Sequence, residues 1–120
     1  HGVILEKATL TFNGIGHIIK GAKGADAQQE SRVLMLSDQA RSDANPILLI
    51  DENDVTAGHA ASIGQVDPED MYYLMSRGLD QATAERLVVR GFLGSVIVEI
   101  PVKEVREEMI QTIEDKLLKR

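Results

Sequence analysis

The sequence predicts a mainly β chain that turns helical past its midpoint: coils of a parallel β-helix over residues 1–66, then a small three-helix domain over 67–120. Three observations carry that expectation. Up to residue 66, short apolar runs alternate with turn residues about every ten to fifteen positions, and no helical stripe persists. Asp67-Pro68-Glu69-Asp70 then supplies an N-cap, a proline at the first helical position and two acids against the positive end of a helix dipole. Finally, 43% hydrophobic residues with two Phe, two Tyr and no Trp describe an aliphatic core for a single domain's worth of chain.

Taken in order, Thr9-Leu10-Thr11-Phe12 reads as a strand ending at Asn13-Gly14, and His17-Ile18-Ile19 as a second ending at Lys20-Gly21. Val33-Leu34-Met35-Leu36 runs to Ser37-Asp38, and Ile47-Leu48-Leu49-Ile50 runs to the polar turn Asp51–Asp54. A small sandwich would also accommodate this spacing. The β-helix is preferred because Asn13-Gly14 is the one strong hairpin dipeptide, and because Ala25-Asp26-Ala27-Gln28-Gln29 suits a solenoid wall better than a two-layer core. The chain opens at His1 and enters Val3-Ile4-Leu5 without a polar lead-in, so it reads as a piece of a longer protein.

After Asp67, the residues Met71, Leu74 and Met75 form one face, with Arg77-Gly78 as a basic last turn and a glycine stop. Asp80 caps a second helix on Ala84, Leu87 and Val88, which Gly91-Phe92 is expected to interrupt; Arg86 and Arg90 lie one turn apart on another face. Pro101 opens a third helix in which Val102, Val105, Met109, Ile113 and Leu117 recur at spacings of three and four. Such an amphipathic helix packs on its neighbour or docks another subunit.

Composition narrows the chemistry. A formal charge of −6 and few aromatics argue against nucleic acid, and no apolar run approaches a membrane span or a leader peptide, which leaves a cytoplasmic protein as the expectation. Without cysteine there is no thiolate ligand or thiol nucleophile, so chemistry falls to His, acids and hydroxyls. Gly14-Ile15-Gly16 lacks the rest of a dinucleotide fingerprint, and Gly16 to Gly21 has a P-loop spacing but Ala22 where lysine is required. Asp51–Asp54 lacks a calcium loop's later ligands and reads as a solvated turn, and His17 reads as a wall residue of an apolar strand. His59 stands apart. Gly58 and Ala60 flank it closely, leaving room for a partner to approach an imidazole that can bind metal, move a proton or donate a hydrogen bond.

Several blocks resemble a known family. Leu34-Met35-Leu36-Ser37-Asp38-Gln39-Ala40, Asp54 through Gly64, Tyr72-Tyr73-Leu74-Met75-Ser76-Arg77-Gly78-Leu79, Ala84-Glu85-Arg86-Leu87 and Gly91-Phe92 are similar to the C-terminal part of the SufB/SufD family of iron–sulfur cluster assembly proteins, on its SufD side. The resemblance implies a right-handed parallel β-helix followed by helices, and a non-enzymatic scaffold in a cytosolic complex with a SufB-like subunit and a SufC-like ATPase. It implies that His59 is an iron or cluster ligand shared transiently at the subunit interface, and that the helices, here Met71, Leu74, Arg77, Arg86 and Arg90, meet the ATPase. Many members carry Cys two residues before that histidine, where this chain has Ala57, so no cluster is expected on this chain alone. A truncated β-helix also exposes an open edge, and self-association of the isolated chain is expected.

Two other functions compete. A β-helix acyltransferase would use a histidine as general base, but the six-residue aliphatic repeat of those enzymes does not run through residues 1–66. A purely structural binding module would leave His59 a hydrogen-bonded wall residue.

Overall fold

The computed structural model describes residues 1–118. In order, these form β1 (Gly2–Ile4), β2 (Thr9–Ile18), β3 (Asp26–Met35), β4 (Arg41–Ile50), β5 (Thr56–Gln65), α1 (Pro68–Ser76), α2 (Gln81–Ile97) and α3 (Lys103–Leu118). The chain divides into two compact units: Val3–Gln65 holds the strands, while the residues from Val66 onward, with His1–Gly2, hold the helices.

In the strand unit, successive strands do not pair with one another. β1, β3 and β5 form one sheet in that order, and β2 and β4 form a second. Both long ladders are parallel and keep register over ten residues, from Thr9 opposite Arg41 to Ile18 opposite Ile50, and from Asp26 opposite Thr56 to Met35 opposite Gln65. Because side chains alternate across a strand, register stacks like upon like. On the outer face of β2–β4, the Asn45 side-chain amide donates to the Asn13 side-chain oxygen at 2.9 Å, and Ile15 lies beside Ile47. On the inner face Ile18 is buried, and a further core gathers Ile4, Val33 and Ala40, with Leu10 and Met35 against it.

This arrangement corrects one sequence expectation. Asn13-Gly14 does not end a strand, and His17 does not open a new one: both lie inside β2. The dipeptide favours a hairpin only where strands return locally, and here the partner of β2 is supplied from far along the chain. Gly14 has a different use. A Cβ there would overlap the Gln29 side-chain amide and lie 2.7 Å from Phe12 Cε1, so the glycine gives room for close packing.

Turns are tied to the turns of the next layer. Gly21, at φ 94°, donates its N–H to the Glu52 carboxylate at 2.9 Å, and Gly24, at φ 72°, donates to the Asp54 carbonyl at 2.6 Å. Glycine adopts these left-handed angles without a Cβ penalty. The Gly21 N–H holds the Glu52 carboxyl below its ordinary value, assisted by the backbone N–H groups of Asn53 and Asp54.

The helical unit starts where its caps predict. Asp67 accepts the Glu69 N–H at 2.8 Å with Pro68 opening α1, and Asp80 accepts the Thr83 N–H at 2.7 Å to open α2. Gly78, at φ 95°, follows the end of α1. Two boundaries differ from the sequence expectation. α2 runs through Gly91-Phe92 to Ile97, because an isolated glycine costs only about 1 kcal/mol in a helix and the apolar row Val89, Leu93, Ile97 continues past it. α3 starts at Lys103, not at Pro101. Ala84, Val89 and Ile97 are buried, whereas along α3 Ile113 and Leu117 are half-buried and Val105 and Met109 stay exposed.

Candidate functional site

β5 is an outer strand of its sheet. β3 pairs one of its sides, and among the described residues no strand pairs the other. Every residue from His59 to Gln65 is exposed. Small side chains dominate the stretch Ala57-Gly58-His59-Ala60-Ala61-Ser62, so the backbone donors and acceptors of its free side are open to an incoming chain. Gly58 belongs to this flatness, since a Cβ there would come within 2.7 Å of the Gln28 side-chain oxygen. His59 is the one imidazole on the strand and stands in register with Gln29 on β3.

Metal chemistry at His59 needs ligands from outside. Among the described residues no three His, Cys, Asp or Glu side chains gather closely enough to hold a metal ion, and the chain has no cysteine. A cluster ordinarily takes four protein ligands. The described residues therefore do not by themselves fit a resident cluster.

The other histidine of the strand unit belongs elsewhere. His17 Nε2 lies 2.7 Å from an Asp51 carboxylate oxygen on the outer face of β2–β4, both side chains being about half exposed. Ile15, Ile47 and Leu49 are exposed along the same face.

In the helical unit, Met71 and Leu74 are half-buried on α1. Arg77 is exposed at the end of α1 with its guanidinium 5.8 Å from the centre of the Tyr73 ring, and Tyr72 is exposed beside it. Arg86 donates to the Thr83 hydroxyl at 3.0 Å, and Arg90 reaches Glu114 on α3 at 3.4 Å. Arg77, Arg86 and Arg90, alike in sequence, thus have three different surroundings. Sequence reasoning also missed an apolar groove of about 140 Å³ between α2 and α3, closed at its rim by Arg90 and Glu114 over Leu93, Ile97, Ile110 and Ile113. Its signal was faint, since the walls come from two helices whose pairing depends on α2 continuing past Gly91.

Residues 1–92 match the family model described as SUF system FeS cluster assembly, SufBD core domain. The chain belongs to the SufB/SufD family of iron–sulfur cluster assembly proteins. It is similar to the iron–sulfur cluster assembly protein SufD of Bacillus subtilis, with 60% identity over 117 residues, which is 98% of this chain and 27% of that protein. It is also similar to SufBD family proteins of Mycobacterium tuberculosis, 46% identical over 97 residues, and of Mycobacterium leprae, 42% identical over 97 residues; each match covers 80% of this chain and 24% or 25% of the relative. The chain thus spans about a quarter of the length of the curated relatives it matches. No helix among the described residues is long and apolar enough to cross a membrane.

Proposed function

We propose that the chain is the C-terminal part of a non-enzymatic, cytoplasmic scaffold subunit for iron–sulfur cluster assembly. In this reading β2–β5 are the last coils of a right-handed parallel β-helix. β5 adds to a strand of a SufB-like subunit, the helices dock a SufC-like ATPase, and His59 lends one ligand to iron or a cluster held transiently between the subunits. The observation that carries the reading is the coincidence, on one exposed and singly paired strand, of an open backbone edge and an imidazole. Strand addition supplies affinity through main-chain hydrogen bonds and brings the partner's side chains to alternate positions along β5. A neutral imidazole then completes a ligand set that cysteines of the partner would dominate, and a site assembled from two subunits releases its cargo more readily than a closed one. Among the arginines, Arg77 is the best placed for an acidic patch on the ATPase, because Arg90 already faces Glu114.

The test is reconstitution with iron and sulfide of the intact complex carrying His59→Ala. Folding and subunit binding should be retained while cluster yield and transfer to an acceptor apoprotein fall severalfold. Equal yield and transfer would make His59 a wall residue. The same open edge leads this chain, expressed alone, to self-associate; light scattering that finds a monomer at high concentration would count against the exposed edge.

A further inference from the structure

We propose that Gln29 is the positioning residue for His59: its side-chain carbonyl accepts one imidazole N–H and thereby presents the other ring nitrogen, lone pair outward, to the cargo. This deepens the reading of His59 as a ligand and rests on it. The starting observation is an unpaired atom. Gln29 Oε1 is buried and, among the described residues, has no hydrogen-bond partner. A carbonyl oxygen withdrawn from water without a donor is a costly and uncommon feature, and it points to a donor that engages it in the working state.

Register offers His59 as that donor. Gln29 and His59 occupy the same rung of the parallel β3–β5 ladder, so their side chains leave the same face of the sheet from strands about 4.8 Å apart. The neighbouring β5 residues on that face, Ala57 and Ala61, carry no side-chain donor. From the other side Gln29 is held: its amide nitrogen lies over Gly14 of β2, in the space a Cβ would take. The glutamine amide is therefore braced against one sheet with its oxygen available to the imidazole on the adjoining strand. A neutral imidazole has one donor and one acceptor nitrogen, and fixing the donor fixes which nitrogen is free to bind metal. Ligating histidines are commonly oriented in this way by a carbonyl or carboxylate behind them.

The experiment is ¹⁵N NMR of the imidazole in the intact protein labelled at histidine, with spectra taken at a pH where they show the neutral ring. One tautomer of His59 should dominate. A hydrogen bond of ordinary net strength biases the ratio roughly three- to tenfold, and Gln29→Leu should remove that bias. Gln29→Glu, which keeps an acceptor, should restore a single tautomer. Gly14→Ala, which displaces the amide without altering it, should weaken the bias and serves if Gln29→Leu folds poorly. Identical tautomer ratios in the wild type, Gln29→Leu and Gly14→Ala would overturn the proposal. Because no metal enters this measurement, a locked tautomer with unchanged cluster yield in His59→Ala would reject the ligand reading alone, and a mixed tautomer with reduced yield would reject the Gln29 role alone.

Discussion

The strand unit and the helical unit of this chain are built on opposite principles. Helices α1 and α2 are specified within a few residues, by Asp67 and Asp80 accepting N–H groups two and three positions on. Strands β2–β5 are specified by partners far along the chain, as when the Asn45 amide meets Asn13 and Glu52 meets Gly21. A locally specified element can present a surface without help from its neighbours. A laddered element leaves its last strand half-paired, and in the proposed reading that incompleteness makes β5 the place where a partner strand adds, while the helices offer a ready-made surface.

The contrast can be strained by mutation. The largest effect should come from the inner face of β2: Ile18→Ala removes a buried side chain and should cost roughly 2–5 kcal/mol, whereas Ile15→Ala, three residues away on the outer face, should stay within about 0.5 kcal/mol. Denaturant titration of the two variants decides it, and equal losses would mean that the outer face is packed in solution. In the helical unit the sensitive positions should be caps. Asp67→Ala should cost about 1 kcal/mol, read in the same way, with Asp67→Asn close to the wild type.

The smallest effects should appear in acid, one in each unit. Glu52 and Asp80 both have carboxyl groups held below their ordinary values of 4.5 and 3.8, the first chiefly by the Gly21 N–H and the second chiefly by the Thr83 N–H. A carboxylate whose folded value is depressed adds stability that is complete above the ordinary value and is lost as pH falls through the folded value. Thermal melts from about pH 6 to about pH 3 should therefore lose less stability in Glu52→Gln and Asp80→Asn than in the wild type, both proteins being exposed to only shallow effects at these surface sites. Parallel curves would show that neither hydrogen bond persists in solution.

What could be read from the sequence follows the same division. Cap residues and glycine stops act on their own neighbourhood, so the starts at Asp67 and Asp80 and the stop at Gly78 were legible. Asn13-Gly14 misled because its local hairpin preference yields to a ladder whose other strand is absent from any local window. Gly91 misled because a packing row on either side outweighs one weak helix former. At the proposed site, His59 could be found by its small neighbours and by family resemblance, but Gln29 could not, since an expectation of parallel coils does not fix which residue of β3 stands opposite which residue of β5.

In the proposed reading β5 is the strand on which the partner subunit closes. Hydrogen–deuterium exchange of the intact protein, alone and with its SufB-like partner, tests it most directly. Amides within Thr56–Gln65 should exchange readily in the free protein and become strongly protected in the complex, while Arg41–Ile50 changes little. Protection confined to β4 and the exposed Ile15, Ile47 and Leu49 face, with β5 unchanged, would contradict it.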